Sequence, residues 1–582
     1  MQYVKNGEGA TRAVIDRFGG LDRLGPLCRE GAFELRNLRL LSDGSLQRRE
    51  GVRPLLHLSD AIRGATCIQR GGARESYLVA GKTVYYLTQE EGAYTPQAIG
   101  QIGTSEGSVE FYYHGGILVL MDGEELWSVT PTGVERTEAY IPLYGKDWSY
   151  EAAKKREIYE TPNLLSRRLR IQYRLAEESN TVSTQPLYPV SCDRLFIDGE
   201  ELTNISYSQS DGLISLGRHR AAGTVVEIFV TMPASFISQR KTICRARRMT
   251  SVGDPMSERV MLYDAPDEAR VWISRATRWE DRLRIRQVFP GCCMIYLTEN
   301  DRYSIGKGNV EVTGACHHYD RSLIFTAGET WMADGGEYEN GTLRMITVNS
   351  TQGCTSRDGI ATLGNTPLCV CGNRILAWNS RTDERDECNA ASISSPIEPM
   401  LDKSFATKGA LYADPVHNEV WCYLPGEASR ILIWQEDSKS WTSFDGLVVD
   451  RVFCLEGRVG FYHGNTLYCL DEQADVDTDA NGETTPIEVE YLGSYLDFGE
   501  PAAAKHVSSA EAFAQCEAGK MTLLLQRADG KKTAVCMQGQ GGQLSLLHRR
   551  VNVGRFRFLR VGFRTSCKGA VRVFGLHVTA RH

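Results

Sequence analysis

One short pattern recurs along the chain and constrains its fold more than any other feature. An apolar strand runs into a tight turn containing Gly, and a second apolar strand with a central aromatic residue returns. Alternating strands joined by such turns are typical of β-hairpins. The clearest copies occupy residues 77–87, 117–129, 322–332 and 459–470, and looser copies occupy 294–303, 374–378 and 420–434.

The spacing of the hairpins favours a β-propeller. Gly81 and Gly123 are the turn glycines of the first two copies, and they lie one blade length apart, since propeller blades contain roughly 40–45 residues. We therefore predict an all-β chain with a propeller of six to eight blades, an inserted small β domain and a C-terminal β-sandwich-like domain. A β-sandwich or several small β domains remain the alternative.

Breaks in the rhythm of the hairpins suggest domain boundaries. An alternating region rich in Gly turns, preceded by a helix-like stretch at 148–159, predicts the insertion, and a polar acidic stretch predicts a linker. The expected organisation is an N-terminal segment, partly helical, at 1–34; first propeller blades at 35–140; an inserted β domain with a leading helix at 141–240; remaining blades at 241–475; an acidic linker at 476–486; and a C-terminal β domain at 487–582.

Charge and cysteine content narrow the class of protein. The net charge is −7, from 66 Lys and Arg against 73 Asp and Glu, which argues against a protein whose main task is to grip nucleic acid. The 17 cysteines are odd in number and follow no paired spacing, so reduced thiols and a reducing cytosol are expected. The first residues lack an apolar core, so no signal peptide is expected, and no membrane span is predicted.

One acidic segment fits a metal-binding pattern. Asp477, Asp479, Asn481 and Glu488 match the calcium-loop spacing, in which alternating oxygen ligands are closed by a carboxylate. Strands rather than helices flank the segment, and Pro486 stands where an exiting helix would begin. A solvated acidic linker is therefore the preferred interpretation, calcium is the weaker one, and no cofactor is expected.

Other candidate sites are weaker still. Cys369 with Cys371, the triplet at 316–318 and the pair at 292–293 lack zinc-site spacing, so buried thiols are favoured. Basic clusters at 167–170, 240–248 and 282–286 have no interleaved aromatic residues, so they suggest a solvated surface, a subunit contact or the vicinity of a nucleic acid. The chain shows no nucleophile elbow, P-loop, zinc-protease or dinucleotide motif in a credible context, so no enzyme is expected.

Four stretches resemble one family in their order along the chain. Residues 37–51 are similar to the strand-turn-strand motif N…DGxLxxRxG of bacteriophage tail nozzle proteins, also called tail tubular or packaged-DNA stabilisation proteins. Residues 160–166, with Pro-Asn-Leu-Leu, resemble a segment of phage tail proteins. Residues 418–441 look like their hairpin with a Leu-Pro turn and a closing Trp, and residues 554–577 look like their C-terminal ending. A helix-like stretch near 11–18, the size of the insertion and the many cysteines depart from the pattern.

The resemblance implies a structural component of the virion tail and no enzyme. Such proteins contain a propeller and form a ring, typically a hexamer, that encloses and closes the DNA exit channel. The implied partners are copies of the chain itself, tail adaptor and portal-side proteins, tail fibres, and genomic DNA that passes without specific binding. The implied location is the virion, after assembly in the host bacterial cytoplasm. An acidic chain suits such a conduit, because each phosphate contact would add affinity for the genome.

Two other functions remain open at this point. A receptor-binding or glycan-binding propeller at a tail tip or cell surface could stack exposed aromatic rings on sugars. A propeller glycoside hydrolase would need a pair of carboxylates, for which Asp334, Glu337 and Glu339 are candidates. The Asp-Gly-Gly-Glu sequence at 334–337 is first of all a turn, so the hydrolase is the weaker alternative.

Overall fold

The chain is almost entirely β. The computed structural model describes residues 2–6, 9–25, 31–90, 93–114, 116–136, 168–184, 188–234, 242–252, 259–266, 268–273, 302–306, 310–318, 321–334, 344–379, 389–517, 520–538, 542–566 and 568–581. Two compact units are present. One contains 1–62, 89–95 and 351–582, and the other contains 63–88 and 96–350.

The N-terminal part is built of short strands. Their bounds are β1 Gln2–Asn6, β2 Ala10–Ile15, β3 Ala32–Arg36, β4 Leu38–Leu40, β5 Leu46–Arg48 and β6 Gly51–His57. The helix expected near 11–18 is therefore wrong. Thr11, Ala13 and Ile15 are buried while the residues between them are half-exposed, which is the two-residue period of a strand, and β1 pairs with one edge of β2.

Four-stranded antiparallel sheets with neighbouring strands joined in sequence order form the blades. Blades 1 and 2 comprise β7 Ile62–Arg70, β8 Ala73–Ala80, β9 Thr83–Glu90, β10 Ala93–Gln101, β11 Glu110–His114, β12 Ile117–Met121, β13 Leu126–Thr130 and β14 Gly133–Arg136. Their second and third strands carry the repeated hairpins, and the second strand of blade 2, β12, is fully buried.

Five further blades follow the insertion. Blade 3 comprises β22 Arg248–Val252, β23 Arg259–Tyr263, β24 Val271–Ile273 and β25 Arg302–Tyr303; blade 4, β26 Val312–His318, β27 Arg321–Thr326, β28 Thr330–Asp334 and β29 Arg344–Asn349; blade 5, β30 Ile360–Leu363, β31 Thr366–Cys371, β32 Arg374–Trp378 and β33 Ala390–Ser392; blade 6, β34 Ala410–Asp414, β35 Glu419–Tyr423, β36 Ile431–Gln435 and β37 Ser440–Phe444. A 3-10 helix, Ser395–Met400, and a short α-helix, α1 Lys403–Lys408, connect blades 5 and 6.

Blade 7 is completed by the N-terminal part of the chain. Its strands are β38 Arg451–Leu455, β39 Arg458–His463 and β40 Thr466–Asp471, and β6 pairs antiparallel with β40 as the fourth. Pro54 sits where the register of this pair shifts, on an outer strand, which is where a sheet tolerates a residue with no N–H. The described residues thus hold seven sheets of the blade type, and the predicted all-β propeller class is confirmed.

The insertion between blades 2 and 3 is a two-sheet β domain. One sheet contains β15 Arg168–Arg174, β17 Ser191–Ile197, β18 Glu200–Glu201 and β21 Val225–Thr231, and the other contains β16 Ser179–Ser183, β19 Ser206–Ser208 and β20 Leu213–Arg220. Leu195, Ile214 and Ile228 are fully buried in their shared core. The predicted leading helix at 148–159 lies outside the described residues.

The C-terminal domain is a sandwich that includes the first strands of the chain. Its strands are β43 Val489–Gly493, β44 His506–Cys516, β45 Lys520–Arg527, β46 Lys532–Gln538, β47 Leu544–Arg550, β48 Leu559–Thr565 and β49 Val571–Arg581. One sheet has the order β1-β2-β49-β44-β47, and β3 joins β43, β48, β45 and β46 to blade 6 in the other. The predicted start of the blades at residue 35 is therefore too early, because β3, β4 and β5 belong with this domain.

The segment predicted as a linker is an ordered hairpin. Its strands are β41 Val476–Thr478 and β42 Thr484–Pro486, and we call this element the acidic hairpin. The composition suggested a solvated connection because the segment is polar, but Asp479 accepts hydrogen bonds from the backbone N–H groups of Asn481 and Glu483 and closes the turn. The acidic hairpin stands next to the junction described below.

Candidate functional site

Residues of the stretch at 37–51 meet blade 6, the acidic hairpin and the last strand at one largely buried junction. Strands β4 and β5 form a hairpin, here the motif hairpin, as the sequence predicts. Gly44 has a φ of 84°, a left-handed conformation that glycine adopts without strain, and the Asp43 carboxylate accepts the backbone N–H of Ser45 at 2.9 Å. The same carboxylate accepts a hydrogen bond from the guanidinium of Arg572, on the last strand, at 2.5 Å. This bond ties the turn to the C-terminal domain.

Arg49 fills the centre of the junction. Its side chain is 1% exposed, and its guanidinium donates to both oxygens of Asp477 at 2.8 and 2.6 Å. Its Nε donates to the Asn37 side-chain oxygen at 3.0 Å. Asn37 in turn accepts the backbone N–H of Asp445 and donates to the carbonyl of Glu488. One bidentate charged pair, made by the residue that follows the motif hairpin, thus links this part of the chain to the acidic hairpin.

Gly51 allows the close approach of the acidic hairpin. A Cβ at this position would lie 2.2 Å from the carbonyl oxygen of Val476 and 2.8 Å from the Cβ of Ala474. The backbone N–H of Gly51 donates to the Ala474 carbonyl at 2.9 Å. The motif glycine is therefore required by packing at the start of β6.

A second buried arginine forms a polar cluster with blade 6. Arg39, 7% exposed, pairs with Glu50 at 2.9 Å and with Glu419, which is 1% exposed. Gln435 donates to Glu419 at 3.1 Å. His417 bonds to Asp414 at 2.6 Å and lies 3.5 Å from Glu50. We call Arg39, Glu50, Asp414, His417 and Glu419 the Arg39 cluster.

Electrostatics in the Arg39 cluster favour charged His417 and Glu50. Burial alone would lower the pKa of His417, but hydrogen bonds with Asp414 and Glu50 raise the pKa to about 9. Burial would raise the pKa of Glu50, but His417 and Arg39 hold the pKa at about 2. Burial raises the pKa of Glu419 in spite of its pairing with Arg39. A protonated imidazole between two carboxylates therefore stabilises this contact at neutral pH.

The Arg39 cluster was missed by the sequence reasoning. Within the described residues, Asp414, His417 and Glu419 form the group whose potential metal-ligand atoms all lie within 4.8 Å of one another. In the sequence they look like an ordinary turn between two strands, and their partners Arg39 and Glu50 are more than 360 residues away. The signal in the sequence that could have revealed the cluster is the position of these charged residues directly beside strands that are fully buried.

The four calcium-loop candidates lie in one region of the fold, but their side chains make different contacts. Asp477 is occupied by Arg49 and by the backbone N–H of Val52. Asp479 closes its own turn, and Asn481 is exposed at the tip. Glu488 accepts Arg36 at 3.1 Å and Arg564 at 3.2 Å. A guanidinium thus takes the place at Asp477 that a cation would take.

An open groove adjoins the junction. It has a volume of about 510 Å³ and is lined by Asp445, His463, Tyr468, Asp479 and Glu488, among others. The Tyr468 ring stacks on the buried Phe461 ring with 5.2 Å between centroids and 13° between planes. An aromatic surface surrounded by carboxylates, an imidazole and hydroxyl groups can accept a ligand that has both apolar faces and hydrogen-bonding groups.

The remaining sequence candidates do not form a site among the described residues. Cys369 is buried and accepts the indole N–H of Trp378 at 3.3 Å. His317 hydrogen-bonds to Ser251, and Cys316 and His318 are buried on the same strand. Each cysteine that the structure describes has a thiol outside any disulfide. The pair at 292–293, Glu337, Glu339, and the basic clusters at 240–241 and 282–286 lie outside the described residues, as do the side chains of Asp334 and residues 167–170.

Comparisons with known proteins add little to this picture. No protein-family profile and no curated protein matches the chain. Among solved structures, PorZ, a surface component of the type-IX secretion system of Porphyromonas gingivalis, aligns at 10% identity and TM-score 0.35 over 83% of this chain and 46% of PorZ. The WD40 propeller domain of Doa1 aligns at 8% and 0.33 over 73% and 98%. An exo-β-1,3-galactanase from Phanerochaete chrysosporium aligns at 9% and 0.23 over 91% and 99%.

The chain therefore spans less than half of the length of PorZ. Likenesses this distant carry no argument about function. In the parts of the chain that the structure describes, no helix is long and apolar enough to cross a membrane.

Proposed function

We propose that the chain is a structural component of a bacteriophage tail that assembles into a ring around the DNA exit channel. The observation that supports the proposal is the structural use of the motif at 37–51, which resembles a motif of tail nozzle proteins. Asn37, Asp43, Gly44, Arg49 and Gly51 each have a structural task at the junction of the N-terminal strands, blade 7 and the C-terminal domain. Residues that resemble a family motif and also hold the junction together favour a structural role like that of the family.

The chemistry of the junction supports a scaffold rather than a reactive centre. The described carboxylates Asp477 and Glu488 are held by arginines, and Glu50 and Glu419 by Arg39. Such pairing holds each carboxylate in place. A carboxylate that acts as a general acid or base must instead be free to donate or accept a proton. The acidic balance of the chain, −7, suits passage of DNA without retention.

Electron microscopy of the purified full chain tests the ring. In negative stain at tens of micromolar, we expect closed rings of one uniform copy number, six in the family that the chain resembles. Because an adaptor ring can serve as a template, the same sample is also examined after mixing with the adaptor complex of the particle. A monomer under both conditions contradicts the proposal.

Carbohydrate binding is a second candidate, and the groove beside the acidic hairpin favours it. A pyranose has apolar C–H faces that pack on an aromatic ring and hydroxyl groups that bond to carboxylates and imidazole. Tyr468 supplies the ring, and Asp445, Asp479 and His463 supply polar groups in the same groove. This role places the chain at a tail tip or a cell surface.

A glycan array with a matched pair of variants tests this second candidate. We expect defined saccharides to bind the wild-type chain and to be lost in Tyr468→Ala, while Tyr188→Ala, which removes an exposed ring of the inserted domain, binds as wild type. An array without hits, or equal binding by both variants, contradicts it. Turnover of a bound polysaccharide, abolished by one acidic substitution, would instead establish a hydrolase.

A further inference from the structure

The C-terminal sandwich ends on one side in two strands that pair with one neighbour each. In the described residues β46 pairs with β45 and β47 pairs with β44, and each strand stands last in the order of its sheet. A last strand presents a row of backbone N–H and C=O groups that another strand can pair with. We call the outer side of β47 the open edge.

In the part of the chain that the structure describes, the N-terminal half of the open edge lacks the usual protection against pairing. Natural edge strands carry charged side chains, Pro or a bulge, or are covered by another element. The N-terminal half of β47 instead presents Leu544 and Leu546, which are 62% and 53% exposed, while Leu547 faces the core at 7%. No bulge interrupts its pairing with β44, since Leu544 to Arg550 follow Gln515 to Ser509 in continuous register.

The second half of the strand is basic. His548, Arg549 and Arg550 are exposed, and Lys531 and Lys532 are exposed at the start of β46, which contacts β47. Glu511 pairs with His548 at 3.1 Å. The edge therefore joins an apolar half to a cationic half in a chain that is acidic as a whole.

We propose that the open edge of β47 binds an extended acidic peptide segment of a partner protein by strand addition. The partner strand runs antiparallel, as do the strand pairs of this sheet. Backbone hydrogen bonds supply affinity, and side chains on alternate positions supply specificity. Apolar side chains lie beside Leu544 and Leu546, and carboxylates lie beside His548 and Arg550, at the N-terminal half of the partner strand.

A short synthetic peptide is the probe. The sequence Glu-Thr-Glu-Thr-Val-Thr-Val, acetylated, amidated and fluorescently labelled, places carboxylates opposite Arg550 and His548 and valines opposite Leu546 and Leu544. We expect saturable binding by the full chain in fluorescence anisotropy, at least tenfold tighter than for a peptide with Lys in place of Glu. Affinity should fall as salt is raised, because exposed charges are screened.

Matched variants locate the binding. Leu546→Lys, which places a charge on the edge, should reduce affinity at least tenfold, and Arg550→Glu should reverse the preference between the two peptides. Leu213→Lys changes an exposed leucine on a central strand of the inserted domain and should bind as wild type. Circular dichroism verifies that each variant is folded.

Three outcomes would overturn the proposal. The first is that the acidic peptide binds no better than the lysine peptide, and the second is that Leu546→Lys and Leu213→Lys bind it equally. Alternatively, the wild-type chain self-associates, and Leu546→Lys alone makes it monomeric, in which case a second copy occupies the edge. Rings that persist in Leu546→Lys while peptide binding is lost would leave the proposed tail function intact.

Discussion

At the residue scale, the chain depends on buried arginines held by carboxylates, two of which, Asp477 and Glu419, are distant in sequence. Arg49 binds Asp477, and Arg39 binds Glu50 and Glu419. Removing the buried arginine leaves its carboxylate partner unpaired at a site that water reaches only in part, since Asp477 is 22% exposed, whereas both groups of an exposed pair are solvated when the pair is broken. Two predictions about single residues follow from this difference.

Replacing Arg49 tests the junction. We expect Arg49→Met to lower the free energy of unfolding by about 2–3 kcal/mol, less than for a fully buried ion pair because the unpaired Asp477 is partly solvated. Arg194→Met is the matched control, because Arg194 makes a similar two-point contact with Glu201 but is 45% exposed, and it should cost less than about 1 kcal/mol. Equal losses in urea denaturation would show that the junction does not depend on Arg49.

The pH dependence of stability tests the Arg39 cluster. Because the pKa of His417 is raised from 6.5 to about 9, its contribution is complete below pH 6.5 and is lost as the pH rises through 9. Because the pKa of Glu50 is lowered from 4.5 to about 2, its contribution is complete above pH 4.5 and is lost as the pH falls through 2.

The difference in unfolding free energy between the wild type and His417→Gln reports the histidine part. We expect the difference to be nearly constant from pH 5 to 6 and to shrink by about 3 kcal/mol between pH 6.5 and 9.5. A difference that stays unchanged over this range would show that His417 is not charged in the folded state.

At the element scale, local pattern predicted the hairpins well and their partners poorly. The turn at Asp43 and Gly44 and the hairpin at 418–434 follow from turn chemistry and alternation, and both are present. The prediction of a helix near 11–18 is wrong. In β2 the half-exposed Arg12 and Val14 alternate with buried residues, and the strand's partner, β49, lies at the other end of the sequence. The sequence predicts a linker at the place of the acidic hairpin for the same reason, since its partner Arg49 is distant in the sequence.

Gly51 allows a direct test of how tightly β6 and the acidic hairpin pack. We expect Gly51→Ala to destabilise the chain by about 2–4 kcal/mol, because the new Cβ would lie 2.2 Å from a backbone oxygen. Gly25→Ala, where no heavy atom lies within 4 Å of the new Cβ, should change stability by less than about 1 kcal/mol. Similar melting temperatures for the two variants would refute the close approach.

The closure of blade 7 by β6 predicts a specific cross-link. Arg53 and Cys469 are direct partners in the β6–β40 pair, so Arg53→Cys should form a disulfide with the native Cys469 under mild oxidation. Because the disulfide would close a loop of more than 100 residues, the free energy of unfolding of the oxidised variant should exceed that of the reduced variant by about 4 kcal/mol. Peptide mapping by mass spectrometry identifies the bond, and Arg53→Cys combined with Cys469→Ser is the control. Absence of the cross-link would argue against this strand pairing.

At the scale of the whole molecule, the organisation into blades, insertion and sandwich could be predicted from repeated hairpins and breaks in their rhythm. The union of the two ends of the chain could not. Strands β1 to β5 pair or pack with strands after residue 488, and β6 completes blade 7, through contacts that no local pattern encodes. The groove and the junction lie where these ends meet, so the candidate site was beyond sequence reasoning even though three of its acidic residues, Asp477, Asp479 and Glu488, had been singled out.

The location of the chain tests the proposed function most directly. Immunogold electron microscopy with an antibody against the inserted domain should be carried out on purified tailed particles and on cells from the same culture. The proposal predicts gold at the tail of the particles, on the side away from the capsid. Gold on the cell surface, with unlabelled particles, would contradict a tail component and support the glycan-binding alternative.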